Sequence, residues 1–260
     1  MFKAFLHRIG LALSNYLMTE VDGHALTPPV GARTLRKWLR PGDVLLIEGA
    51  TRVSGPIKYL TQSTWSHAAL YAGPLPGRAE PDGEDHVLIE AELVGGVCAS
   101  PLSKYARSHT RICRPVHLRE EDLAALVNFA SSRIGYKYDL HNLFDLMRYM
   151  LPAPPIPSRL RRRFIGLGAS SPTRALCSTL LAEAFQHINY PVLPVIEFVD
   201  DDSAAQLSHH TVREILHIRS SSLYVPRDFD ISPFFAVVKP MIEQGFDYKK
   251  LEWTEGSAAL

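Results

Sequence analysis

Cys177 lies in the run Ala175-Leu176-Cys177-Ser178-Thr179-Leu180-Leu181-Ala182-Glu183-Ala184-Phe185, where an apolar, helix-periodic stretch sets in. Leu180, Leu181, Ala184, Phe185 and Ile188 recur at helical spacing, and Tyr190-Pro191 stops the pattern. The spacing predicts a helix with Cys177 at or beside its N-terminus. Free backbone N–H groups and the positive dipole end there favour a thiolate, the nucleophilic form of cysteine. Taken alone, such a cysteine is better explained as a small apolar core residue. Two further residues change that balance. Trp65-Ser66-His67-Ala68-Ala69-Leu70-Tyr71-Ala72-Gly73 predicts a short strand with His67 near its start. His86-Val87-Leu88-Ile89-Glu90-Ala91 predicts a second strand, adjacent through a hairpin. A thiol, an imidazole to hold its proton and a carboxylate to orient the imidazole are the parts that nucleophilic acyl transfer requires.

Each residue also has a plainer account. His67 on its own is a core histidine satisfied by a backbone carbonyl. Glu90 competes with Glu92, because period two puts both on one face of a strand. The apolar neighbours Leu88 and Ile89 favour Glu90, as a buried orienting group would need. The backbone N–H of Cys177 or Ser178 is the expected oxyanion donor. His209-His210 and Asp200-Asp201-Asp202 suggest metal at first glance, but adjacent identical side chains diverge and read better as solvated clusters. Neither a Gly-rich phosphate loop nor a CxxC pair is present, so no cofactor or metal is expected. Three cysteines make no complete disulfide set, and Cys98 and Cys113 lack metal-ligand spacing.

The elements that must position these groups alternate along the chain. Residues 42–48 predict a strand after a Pro-Gly turn, and 55–62 a short helix or loop. Residues 75–84 form a polar, Pro/Gly-rich hairpin loop, and strands follow at 96–99 and 111–116. Residues 119–134 predict a helix with Glu120, Glu121 and Asp122 in its first turn and Leu123, Leu126, Val127 and Ala130 inward. A further helix is expected over 140–149, a last strand over 233–238 and a tail from 249.

The order of these motifs, histidine strand, glutamate strand, then cysteine helix, resembles the circularly permuted papain-like enzymes of the NlpC superfamily, the YiiX-like group. The likeness is carried by Arg40-Pro41-Gly42-Asp43-Val44-Leu45-Leu46, by Ser66-His67-Ala68-Ala69-Leu70-Tyr71 and by Leu88-Ile89-Glu90-Ala91 with Gly96-Val97. Gly135-Tyr136-Lys137-Tyr138-Asp139 and Leu176-Cys177-Ser178-Thr179-Leu180 complete it, so that it spans residues 38 to 240. It implies an α+β, papain-like fold, an antiparallel sheet or small barrel packed against helices. It also implies a Cys177-His67-Glu90 triad in a thiol hydrolase acting on a peptide-like or lipid-linked amide or ester. Tyr138 would add a hydroxyl to the oxyanion site. Transfer of the acyl group to an amine or lipid is the variant within that chemistry. A binding scaffold on the same fold is the alternative from another class.

Composition fits one soluble domain and excludes little. Lysine plus arginine number 28 against 27 aspartate plus glutamate, so no global field favours nucleic acid. Residues 1–30 are expected to form an amphipathic helix and linker, 31–245 the catalytic domain and 246–260 a tail. Phe2, Phe5, Leu6, Ile9, Leu13, Tyr16 and Leu17 give the first helix an apolar face, broken by charge before it reaches membrane-spanning length. The segment 151–172 combines Pro152, Pro154, Pro155 and Pro157 with Arg159, Arg161, Arg162 and Arg163. A helix packed on the domain and a solvated connector account for these two features. Contact with phospholipid headgroups, at the surface of an otherwise cytoplasmic protein, is the sharper expectation.

Overall fold

The computed structural model describes residues 19, 29–52, 54–92, 95–137, 172–200, 212–243, 245 and 247–250. In chain order its strands are β1 (Val44–Ile47), β2 (His67–Tyr71), β3 (His86–Glu92), β4 (Gly96–Pro101), β5 (Thr110–Pro115), β6 (Val195–Asp200), β7 (Val212–His217) and β8 (Phe235–Val238). The helices are α1 (Ala32–Trp38), α2 (Ser54–Thr61), α3 (Glu120–Ser132), α4 (Pro172–His187), α5 (Pro226–Asp230) and α6 (Pro240–Glu243).

Val44-Leu45-Leu46-Ile47 is an unbroken apolar run, and all four residues are buried. A strand with that pattern belongs where both faces are covered. It lies inside a six-stranded sheet of order β4-β3-β2-β1-β5-β8 in which every neighbouring pair is antiparallel. Gly42 makes the turn into β1 at φ +92°, a conformation that favours glycine. The next residue, Asp43, is buried and ties the turn to β5: Arg114 donates from Nε to Oδ1 (2.9 Å) and from Nη2 to Oδ2 (2.7 Å).

Side-chain alternation divides the core in two. Val44, Leu46, Ala68, Leu70, Ile89 and Ala91 pack with Leu126 and Ala130 of α3 and with Leu180, Leu181, Ala184 and Phe185 of α4. Leu45, Ile47, Ala69, Tyr71 and Leu88 pack on the other side with Leu35 and with Leu102 and Tyr105, from a 3-10 turn (Leu102–Tyr105) after β4. Phe185 is fully buried and meets the rings of Tyr190, Phe229 and Phe235 at 5.2 to 6.1 Å between centroids. Past the end of α4, the Tyr190 hydroxyl donates to the carbonyls of Phe234 (2.7 Å) and Val116 (2.9 Å), anchoring the stop that Tyr190-Pro191 announced.

The architecture is the expected mixture of helices and antiparallel sheet, but the sheet is open. Strands β4 and β8 end at opposite edges rather than closing a barrel. Closure is not needed to shield the central strands, because helices and the 3-10 turn cover both faces. The sequence carried no expectation for α1, α5, α6, the 3-10 turn or the separate antiparallel pair β6–β7. No helix among the described residues is long and apolar enough to cross a membrane. Residues 1–18, the helix expected over 140–149, the proline- and arginine-rich segment up to 171, His209-His210 and the tail from 251 lie outside the described residues.

Candidate active site

His67 is the first residue of β2 and pairs with Ile47, the last residue of β1, so it stands at one end of the central ladder. Glu90 comes from β3, which runs beside β2 with Leu70 opposite Ile89 and Tyr71 opposite Leu88. Alternation puts Glu90 on the side of Leu88, and its carboxylate is completely buried. Glu90 Oε2 lies 2.5 Å from His67 Nε2. Of the two competing carboxylates, Glu90 is therefore the one on the ring. Glu92 meets the Lys104 ammonium instead.

A buried carboxylate needs partners for both oxygens. Lys104 Nζ donates to Glu90 Oε1 (2.6 Å), and the Tyr105 hydroxyl donates to Oε2. Burial opposes the charge, but the hydrogen bond and charge of His67, with the Lys104 ammonium, outweigh it and keep Glu90 ionised far below the usual carboxylate range. Lys104 and Tyr105 form a setting that sequence reading missed. They follow β4 in a single turn with no periodicity, and only the fold shows that this turn lies over β3.

Cys177 reaches the same ring from the opposite layer. Helix α4 packs against β2, β3 and α3 and brings the Cys177 thiol close enough to the His67 side chain for the two to interact strongly. Since Nε2 is engaged by Glu90, the remaining ring nitrogen, Nδ1, is the one available to sulfur. The backbone amide of Ala68 also hydrogen-bonds the sulfur, and Ser178 Oγ lies 3.8 Å from it. Cys177 is 3% exposed. The His67 side chain, at 21%, provides the opening to solvent.

Burial in this site disfavours isolated charges, yet the two partners stabilise each other. Burial would lower the His67 pKa, but the Cys177 thiolate and the Glu90 carboxylate raise it to about 10. Burial likewise pushes the Cys177 thiol up, but the adjacent imidazolium and the hydrogen bonds from His67, Ser178 and Ala68 bring it below its ordinary value. Both shifts run in the direction that favours a thiolate–imidazolium pair over a neutral thiol and imidazole. The other thiols differ: burial raises Cys98 to about 11 and pushes Cys113 higher still. All three cysteines are free.

Helix α4 begins at Pro172, five residues before Cys177. The thiol therefore occupies the second turn rather than the expected N-terminus. Proline suits a first helical position, where its missing N–H has no bond to lose. At the sixth and seventh helical positions, backbone N–H groups point to carbonyls four residues back. The amides of Cys177 and Ser178 are thus engaged within the helix, in contrast to the expectation of free oxyanion donors. The Ser178 side chain is buried beside the sulfur. Tyr138 lies outside the described residues. The segment leading to it runs along β4: Val97 N–H donates to Tyr136 O (2.9 Å) and Gly135 N–H to Val97 O (2.8 Å).

Glu90, Glu92 and Cys98 bring two oxygens and a sulfur within 4.8 Å of one another. That space is served by Lys104, whose ammonium bonds both carboxylates, so the cation at this cluster is a side chain of the protein.

No curated protein matches the sequence. The crystal structure of metalloprotein yiiX from Escherichia coli O157:H7 is 16% identical, the match covering 77% of this chain and 96% of that one with a TM-score of 0.44. Residues 38–149, which contain His67 and Glu90 and end before Cys177, match the model of a family described as the permuted papain-like amidase enzymes, YaeF/YiiX, C92 family.

Proposed function

We propose that the protein is a cysteine hydrolase that cleaves an amide or ester bond in a peptide-like or lipid-linked substrate, with Cys177 as nucleophile, His67 as its proton partner and Glu90 as the group that orients His67. One observation carries the reading: a buried thiol and a fully buried carboxylate meet one imidazole ring, with Glu90 2.5 Å from His67 Nε2 and the Cys177 thiol electrostatically coupled to the same ring.

The chemistry follows from the charge state. The thiolate attacks the scissile carbonyl carbon, forming an S–C bond and moving the carbonyl electrons onto oxygen. As the tetrahedral intermediate collapses, its C–N or C–O bond breaks and His67 Nδ1–H protonates the leaving amine or alcohol. A thioester and a neutral imidazole remain. The imidazole then takes a proton from water as the water oxygen attacks the thioester. Expulsion of the thiolate releases the carboxylic acid and restores the ion pair. Through both half-reactions Glu90 fixes the tautomer and balances the imidazolium charge. The Ser178 hydroxyl is positioned to adjust beside the sulfur, and Tyr138 is proposed as a further donor to the oxyanion.

The test is to incubate the protein with cell extract, quench in acid and weigh the peptide that contains Cys177. An acyl adduct on Cys177 of the wild type, absent from Cys177→Ser and His67→Ala, is expected. A Cys177 peptide that stays unmodified while the folded protein turns over amide and ester substrates would end the proposal, as would acylation that His67→Ala leaves intact.

A further inference from the structure

Beyond the last ladder pairs at the His67 end of the sheet, the chain forms a groove of about 740 Å³. Its residues come from the segments that continue the three central strands there: Glu48 follows β1, Trp65 precedes β2 and His109 precedes β5. Arg111 pairs with Leu46, on the sheet face covered by α4, so the groove opens on the side from which Cys177 approaches. From His67 to the β5 wall is two strand spacings, roughly 10 Å.

The groove walls are charged, and their charges do not balance. Glu48 is occupied by Lys58 Nζ (3.0 Å) and His109 Nδ1 (3.0 Å). Asp230 is occupied by Arg111 Nη1, at 2.7 and 2.8 Å to its two oxygens, and by Trp65 Nε1 (2.9 Å). Arg111 also lies over the Trp65 ring at 4.9 Å, so this wall is held rigid. Arg227 is the remaining cation. Its Nη1 makes only long bonds to the carbonyls of Gln62 (3.3 Å) and Thr61 (3.4 Å), and it has no carboxylate partner among the described residues. Every acid in the groove has a cationic or N–H partner, and one guanidinium remains.

The geometry points to a subsite for a compact oxyanion, a carboxylate or phosphate carried by the substrate, with Arg227 as its cation. This rests on the reading of Cys177 as nucleophile. A planar guanidinium suits such a group because it donates two parallel hydrogen bonds. The substrate class implied is an acidic peptide-like amide or a phosphate-bearing one, oriented with its anion against Arg227 in the groove.

Three electrophiles test this on the full chain: 6-chloroacetamidohexanoic acid, its methyl ester and 6-chloroacetamidohexyl phosphate. In each, the Cys177 thiolate displaces chloride, forming an S–C bond as the C–Cl bond breaks. The wild type is expected to react with an anionic probe about two- to fivefold faster than with the ester, as one partly exposed ion pair would give. The ratio should fall to about one in Arg227→Gln and largely return in Arg227→Lys. The better of the two anions identifies the source. Equal wild-type rates would overturn the subsite, as would a preference that survives in Arg227→Gln. If no probe labels Cys177, the catalytic reading falls and inorganic phosphate decides the subsite alone. The Trp65 indole N–H signal, assigned with Trp65→Phe, should then move saturably with phosphate in the wild type and not in Arg227→Gln. A signal that does not move in the wild type overturns the subsite.

Discussion

Replacing Glu90 by glutamine changes one charge at the centre of the site and almost no volume. In the wild type His67 titrates at about 10 rather than 6.5. At about 1.4 kcal/mol per pH unit, the folded site favours the imidazolium by roughly 5 kcal/mol. That figure is the net of burial, which opposes it, and of Cys177 and Glu90, with Cys177 the larger of the two supports. Glu90 is the smaller of the two supports, and a hydrogen bond to a charged group such as this one is worth about 2 kcal/mol. In Glu90→Gln the amide oxygen can still accept from Nε2–H, but the hydrogen bond is no longer charge-assisted. The Lys104 ammonium also loses one of its two carboxylates and adds repulsion. Loss of about 2 kcal/mol from the imidazolium carries over to the thiolate that it stabilises, because the two charges are coupled. The pH midpoint for Cys177 alkylation should rise by roughly one to two units, and the rate at pH 7 should fall about tenfold or more.

The assay is iodoacetamide labelling across pH, read peptide by peptide in the mass spectrometer, with near-ultraviolet circular dichroism to verify folding. Cys98 and Cys113 serve as internal references, since burial raises both and they should label only in strongly alkaline solution. A folded Glu90→Gln whose Cys177 profile superimposes on the wild type would show that the carboxylate does not support the ion pair, and the electrostatic reasoning would fail.

Glu90 also sets an acid limit. Its folded pKa is depressed, so its contribution is complete above the unfolded value near 4.5 and is lost as pH falls through the folded value. Below pH 4.5 the wild type should therefore lose unfolding free energy faster than Glu90→Gln, by at most about 1.4 kcal/mol per pH unit in urea titrations. Tyr105→Phe removes a hydroxyl that donates to the buried carboxylate and should cost about 1–3 kcal/mol by the same method. Phe185→Ala opens a cavity among Tyr190, Phe229 and Phe235, and a loss of about 3–5 kcal/mol is expected. Gly96 has φ +71°, and a Cβ there would lie 2.2 Å from the Tyr136 carbonyl oxygen. Gly96→Ala should lower the urea midpoint and expose Gly135–Lys137 amides to hydrogen exchange, by displacing this segment from β4.

Local signals made the sheet and the positions of its candidate site residues legible. The apolar run from Val44 to Ile47, the alternation around His67 and Glu90 and the acidic first turn of α3 each belong to one segment and one period. The helix of Cys177 was visible through Leu180, Leu181 and Phe185, but its start was not, because apolar periodicity begins where a helix meets the core rather than where the helix begins. The setting of Glu90 was hidden for a different reason. Lys104 and Tyr105 act across 14 and 15 residues, from a turn whose placement depends on β4 pairing with β3. The β6–β7 ribbon escaped notice because its strands flank a polar stretch that carries no short turn signature. Arg227 and Trp65 meet one groove from positions far apart in the chain, which no spacing rule connects.

The position of Cys177 inside α4 bears on how the thiol is activated. A helix dipole acts mainly within the first turn, and Cys177 lies in the second. A lone thiol as deeply buried would be held protonated, as Cys113 is in its apolar surroundings. The lowering at Cys177 must then come chiefly from the imidazolium, whose own charge persists because Glu90 is buried, ionised and held at three points by His67, Lys104 and Tyr105. Desolvation, which penalises either charge alone, strengthens the attraction between them once both are formed. The burial that would silence an isolated cysteine is thus what makes this pair strong, and the sheet contributes by fixing His67 between one charge in each layer.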